Sequence, residues 1–503
     1  MINRNNPEQI SIEDFGWDFE QKLDANNRWA RLANDIPWDK FRKIYHKTLR
    51  KDFGRPAKDA RLVIGALIIK SRKGLPDEEV IPEVQENPYM QYFVGLKAFT
   101  HKPIFDPSLF VTLRKRLGPE IFEELNQAFI DEVNKIEEAQ KKAESPKGKK
   151  RKKKDDSDND SGSLSQTHKG QLIIDAVVAP QEIKFPTDLS LLNGAREHTE
   201  RLIDQLWEAT PGNRKPRTYR ENARRDYLRI AKMKRRSQNK LRAAIRAQLG
   251  YVRRNIKTIK ELLRPYAGGP LPFDKNDLKL FWVIQELYRQ QRIMHDSDIH
   301  SIPDRIVNLR QPHVRPIVRG KAGRDTEFGS KMSCSLVGEY VYLDHLDWNA
   351  FNESQDLMDQ IDKYRKRFGV YPESVLVDQI YGTRENRQKL KELGIRFCGK
   401  QLGRPPKLTR AQKRTLNREL AKRSRIEGKF GEGKRKYQLD CVKARTQATS
   451  ESWIASVLFV MNLAAWMRSD IFLSIFKWLN EHAQRLFGIF KERYIAEIIT
   501  SYA

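Results

Sequence analysis

Two short apolar runs, LIIDAVVAP around Asp175 and VLVD ending at Asp378, set the frame of this chain. Both have the length of strands, and each carries a single carboxylate. Between them, EFGSKMSCSLVGEYVYLDHL alternates apolar and polar residues on either side of Gly338-Glu339, which predicts a hairpin over 327–346. NESQDLMDQIDKYRKRFG then reads as a helix stopped by Gly369. After Asp378, Gly382-Thr383 opens a helix over RENRQKLKEL, Gly394 stops it, and IRFCG gives a third short strand. From Thr409 to Lys436 the chain is very basic and helical in type.

The order is strand with Asp175, hairpin, helix, strand with Asp378, helix, strand, then helix with Glu427. It predicts a ribonuclease-H-like α/β core. A right-handed crossover sets the Asp175 and Asp378 strands side by side, with both carboxylates at one end. The Glu427 helix then leans across that edge. Three hard oxygen ligands there suit Mg2+, and two such ions activate an attacking oxygen and steady a leaving 3′-oxygen. Arg423, Glu427 and Lys434 fall within roughly 40° of one another on a helix. A carboxylate between two cations suits a metal ligand beside phosphate contacts. The plainer reading is an i, i+4 ion pair between Arg423 and Glu427. Gly428, Gly431 and Gly433 weaken the helix beyond Glu427 and threaten the phase of Lys434.

Around this core the chain is strongly cationic: 95 Lys and Arg against 66 Asp and Glu leave a net charge of +29, which points to a polyanionic partner. The surplus concentrates in two places. Residues 141–154, KKAESPKGKKRKKK, hold nine Lys or Arg and are followed by the acidic, Ser-rich DDSDNDSGSLSQ. This block, with bounds 141–170, reads as a disordered linker that either grips phosphates or serves as a solvated tether. From Arg214 to Arg264 there are 19 Lys or Arg against three acids. KMKRRSQNKLRAAIRAQLGYVRRNIKTIKELL is helical by residue type, with Leu241, Ile245, Leu249, Val252, Ile256 and Ile259 as its apolar stripe. A face this cationic destabilises itself unless a polyanion neutralises it, so phosphate contact, through Arg224, Arg225, Arg235 and Arg236 among others, is preferred over a solvated hairpin.

Residues 1–140 read as an all-α domain, either a DNA-binding helix-turn-helix or a bundle for assembly. Its clearest helices are SLFVTLRKRLG and PEIFEELNQAFIDEVNKIEEAQKK. At the other end, the 15-residue apolar run from Trp453 to Met467 is too short for the ~20 residues a membrane span needs and predicts a buried helix. A second apolar helix is expected over 471–488. The polar start, with no apolar stretch, gives no signal peptide, and Cys334, Cys398 and Cys441 are read as reduced thiols of a cytosolic protein.

Four stretches carry a resemblance to bacterial insertion-sequence transposases of the DDE class, in the broad group of insertion sequences four and five. They are LIIDAVVAPQEIKFPTDLSLLNGARE, QPHVRPIVRGKAGRDTEFGSKMSCSLV, YPESVLVDQIYGTRENRQKL and RSRIEGKFGEGKRKYQL. DARLVIGALIIKSRKGLPDEEVIPEVQENPYMQYFVGL resembles the helical domain that precedes the catalytic core in such enzymes. The family's signature around its third carboxylate runs Tyr, Arg, Glu, Lys. Arg423, Glu427 and Lys434 match it, while Leu420 stands at the Tyr position. The insertion falls between the first two carboxylates, 203 residues apart, rather than in the 49 residues before Glu427.

The resemblance implies a metal-dependent DNA endonuclease and strand transferase of prokaryotic cytoplasm and nucleoid. It would bind the inverted-repeat ends of its element, cut them with two Mg2+ (Mn2+ substituting) on Asp175, Asp378 and Glu427, and join 3′-hydroxyl ends to target DNA. Arg423 and Lys434 would contact phosphates, and a homodimer would hold two ends on double-stranded DNA, with no membrane involved. The expected organisation is an N-terminal domain (1–140), the linker, a catalytic core (171–184 and 321–468), a basic helical insertion after the first strand (185–320) and C-terminal helices (469–503). A ribonuclease-H-like DNA nuclease and a domesticated DNA-binding protein, each without strand transfer, remain as alternatives.

Overall fold

In the computed structural model the two carboxylate-bearing strands are neighbours. The structure describes residues 10–16, 22–50, 54–144, 168–209, 214–318, 326–399 and 409–468. Its strands are β1 (Gln171–Pro180), β2 (Arg315–Val318), β3 (Thr326–Val337), β4 (Tyr340–Asp347), β5 (Ser374–Leu376) and β6 (Arg396–Cys398). They form one mixed sheet. β1 pairs antiparallel with β3 on one side and parallel with β5 on the other, and β6 continues the parallel side. Besides β1, β3 is long enough for two further antiparallel partners, β2 along its start and β4 along the rest. Gly338, at φ +60, makes the tight β3–β4 turn where the sequence placed it.

β1 is apolar on both faces because both faces are covered. Leu172 and Ile174 pack with Val375, Val377 and the helices Leu357–Phe368 and Arg384–Glu392. Ile173 and Val177 share the other face with Met332, Cys334 and Leu336, and with Ile426 and Phe430 of the Arg410–Lys436 helix. Gly329 is required here by close approach: a Cβ would fall 2.1 Å from the Ala179 carbonyl oxygen of β1.

The apolar run near the end is a helix over 447–468, buried from Trp453 to Ala465 and beyond. It is apolar all round because it lies between the sheet and the N-terminal helices. Phe459 meets Phe41 at 5.8 Å and Phe122 at 6.0 Å. Asn462 accepts from the Val341 N–H at 2.8 Å and donates to the Val341 carbonyl and to Asn126. The second apolar helix expected at 471–488 and nearly all of the charged linker lie outside the described residues. No helix among the described residues is long and apolar enough to cross a membrane.

The segment between β1 and β2 builds its own core from the helices Asp188–Ala209, Gln238–Leu262 and Lys275–Asp296. Leu249, Val252, Ile256 and Ile259 are buried in it, and Leu241 and Ile245 lie half-buried at its margin. The helix expected from Lys232 begins only at Gln238. Residues 232–237 connect it to the Arg220–Ala231 helix, because Ser237 caps the later helix by accepting from the Lys240 N–H.

Candidate functional site

Strand register brings the two aspartates to one end of the sheet. The parallel β1–β5 ladder pairs Gln171 with Ser374, Leu172 with Val375 and Ile173 with Leu376. Two residues further along the chain stand Asp175, within β1, and Asp378, just past the end of β5. Adjacent strands lie about 4.8 Å apart, so this register carries both positions to the same end of the sheet. Asp378 is exposed and caps the short turn Gln379–Tyr381, its Oδ1 accepting from the Gln379 N–H at 2.7 Å.

Asp175 is mostly buried, its side chain 18% exposed. Its Oδ1 accepts from the Ala176 N–H at 2.9 Å. Burial pushes its carboxyl up to about 6 from an ordinary 3.8; the Ala176 N–H and Arg423 oppose the rise, and the charges of Glu353 and Glu427 add to it. A low-dielectric carboxyl with two acids nearby is a site that disfavours its own negative charge.

The Arg410–Lys436 helix packs over β1 and supplies the remaining groups. Arg423 reaches both carboxylates: Nη1 is 3.9 Å from Asp175 Oδ2, and Nη2 donates to Glu427 Oε1 at 2.9 Å. Glu427 is half exposed. The three glycines do not interrupt this helix, which runs to Lys436. Gly433 has a packing reason, since a Cβ there would meet Leu439 Cδ2 and Met461 Sδ at 3.0 Å. Lys434 turns away from Glu427 to Glu327 of β3, 3.7 Å off. Leu420, at the family's Tyr position, is exposed on the same helix.

The expected convergence of three carboxylates is only partly met. Among the described residues no group of three or more His, Cys, Asp or Glu side chains is close enough to hold a metal ion. The register carries Asp175 and Asp378 to the same end of the sheet, but the Arg423 guanidinium stands between Asp175 and Glu427 as their counter-charge. The donor chemistry nevertheless fits a hard divalent cation: three carboxylate oxygens on elements meeting at one sheet end, where negative charge is in excess. Glu353, which the sequence reading passed over, adds to that excess. It lies in the short turn Glu353–Gln355 with Lys331 Nζ at 2.8 Å. Nothing in NESQ marks it, because only the fold carries that turn toward β1.

Arg224 and Arg225 on the Arg220–Ala231 helix, and Arg235 and Arg236 in the connection, are all exposed. Arg225 donates to Asn222 Oδ1, and Arg236 folds back onto the Ala231 and Met233 carbonyls. Among the described residues none of the four is drawn into an ion pair with a carboxylate.

Comparison with known proteins places two segments. Residues 375–464 match a family described as Transposase DDE domain, a span that holds Asp378, Arg423, Glu427 and Lys434 but not Asp175. Residues 17–116 match one described as Transposase domain (DUF772). The chain is 41% identical over 117 residues to an uncharacterized protein, ORF8 in the nfe locus of Rhizobium meliloti. That alignment covers 22% of this chain and 56% of the relative, so the chain spans little more than half of the relative's length. No solved structure matches. Together the two family matches support the resemblance to insertion-sequence transposases of the DDE class, without distinguishing the group of insertion sequences within it.

Proposed function

We propose that this chain, similar in both matched segments to insertion-sequence DDE transposases, binds the inverted-repeat ends of its element, cuts them and joins the freed 3′-hydroxyls to target DNA. The observation that supports the reading is the parallel β1–β5 register, after which Asp175 and Asp378 each follow two residues on, with the Glu427 helix packed over β1. The sheet order, β2 or β4, then β3, β1, β5 and β6, supports a ribonuclease-H-like core.

In this reading Asp175, Asp378 and Glu427 would hold the metal, and Arg423, now paired with Asp175 and Glu427, would be free to contact a DNA phosphate. Divalent Mg2+ bound there would polarise the attacking oxygen and offset charge on the departing 3′-oxygen. Asp378 is open to solvent and marks the side from which a phosphodiester approaches. Burial of Asp175 excludes water from the opposite side and fixes its direction. Lys434 supplies a phosphate contact further along the helix. Joining two ends requires two such sites, so we propose a homodimer on DNA.

Asp378→Ala tests the site, because this exposed side chain supports no core. Cleavage and end-joining on duplexes carrying the element's ends should fall below detection, while duplex binding persists. Full cleavage by the variant would remove Asp378 from the site. Cleavage by the wild type with no joined product would instead favour a nuclease without strand transfer.

A further inference from the structure

We propose that the outward face of the Gln238–Leu262 helix is a groove for the sugar-phosphate backbone of duplex DNA. This deepens the reading that the protein acts on DNA and rests on it. The groove has a volume of roughly 720 Å³. Arg242, Arg246 and Arg254 line it, and its floor is Ala243, Ala247 and Gly250. These positions recur at helical spacing and lie opposite Leu249, Val252, Ile256 and Ile259, which fill the core of the segment. Among the described residues no carboxylate lines the groove.

The cations are set in different ways. Arg242 is held at the rim, with Nη1 2.5 Å from Asp298 Oδ1 and Nη2 donating to the His295 carbonyl. Arg254 lies between two aromatic rings, 4.9 Å from the Tyr219 centroid and 4.8 Å from that of Tyr251. Tyr251 is itself fixed by donating to Asp226 Oδ2 at 3.0 Å. Tyr219 is 46% exposed and takes a left-handed backbone, φ +55, which a bulky residue adopts only under constraint. Arg254 is therefore pre-ordered, and little side-chain freedom remains to be lost on binding. Arg246, between them, is exposed.

From Arg242 to Arg254 the helix rises about 18 Å, long enough to meet more than one phosphate of a strand. The small floor lets a backbone approach closely. The same floor would accept a second helix, but charge decides against another copy of this chain. Arginines on both sides of such a contact repel, in a protein already at +29.

The test measures binding of the full chain to a fluorescent duplex of arbitrary sequence across a salt series. Arg246→Glu with Arg254→Glu should weaken binding at least about tenfold and lower the salt slope by about two. Lys275→Glu with Lys279→Glu makes the same charge change on exposed positions outside the groove and should weaken it less than about threefold by the same reasoning. Gly250→Gln fills the floor with a neutral side chain. A Cβ at Gly250 meets nothing within 4 Å, so the helix tolerates it, and binding should still weaken. Equal loss in the groove and control pairs, or full affinity with the floor filled, would overturn the groove and leave DNA action standing. A change of oligomeric state with unchanged DNA affinity would also overturn it, in favour of contact between copies. A wild type that binds no duplex would remove the underlying reading as well.

Discussion

Asp175→Asn should make the metal-free protein more stable while ending its chemistry. The wild-type carboxyl is pushed up to about 6 from 3.8, mainly by burial. Between these values the folded state holds a proton that the unfolded chain has released. Stability therefore falls as pH rises through that interval, and the loss is complete above the folded value. Two units at about 1.4 kcal/mol each set a ceiling of roughly 3 kcal/mol. Solvent screens this little, because the side chain is only 18% exposed. Asn keeps the volume and the oxygen that accepts from the Ala176 N–H, and it never ionises. Relaxation around Arg423 takes part of the gain, so urea unfolding in chelator should show the variant about 1–3 kcal/mol more stable at about pH 8 and equal to wild type near pH 4. If Asp175 is a ligand as proposed, added Mg2+ should narrow the gap by stabilising only the form with the intact carboxylate set. An Asn variant equal to or weaker than wild type at the higher pH would refute the claim that Asp175 carries a buried, disfavoured charge.

Two further outcomes concern the frame that holds the site. Arg367 is buried, with Nη1 2.6 Å from Asp344, whose side chain is 1% exposed. Arg367→Ala leaves that carboxylate uncompensated and should cost about 3–5 kcal/mol in thermal or urea unfolding; a loss under about 1 kcal/mol would mean water replaces the guanidinium. Gly433→Leu drives atoms into Leu439 and Met461. It should cost about 1–3 kcal/mol and lower cleavage by shifting the helix that carries Glu427, as melting curves and end-cleavage assays would show.

The elements that were legible in the sequence are those fixed by local chemistry. Gly369 and Gly394 end their helices in left-handed conformations, φ +74 and +69. Thr409 opens the glutamate helix with a full capping box to Gln412. The Gly338 turn sets the hairpin. What stayed hidden was decided by distant partners. β2 is four residues, RPIV, one of them proline, and becomes a strand only because the start of β3 pairs with it. The connection at 232–237 is made of good helix formers, and Ser237 overrides them by capping the next helix. The 447–468 helix announced its burial through its composition. Which surfaces bury it depends on Phe41 and Phe122, hundreds of residues away.

The same division explains the arginine at the site. Spacing alone put Arg423 and Glu427 on one face, and both readings of that spacing, metal neighbour and ion pair, were open. The fold adds the third member, Asp175, within 4 Å of the same guanidinium. Two carboxylates facing one low-dielectric sheet end repel each other, and without a cation a side chain must supply the positive charge. Arg423 does so with two separate nitrogens, which one Lys ammonium on a flexible stem does less well. A divalent ion offers more charge at shorter range and competes for the same oxygens. An arginine displaced by such an ion would carry its charge on the helix that packs over Asp175, at the sheet end where Asp378 is exposed. In the proposed function Arg423 would serve as counter-ion to the two carboxylates and, with a metal in its place, as a phosphate contact, so Arg423→Lys should weaken cleavage more than duplex binding.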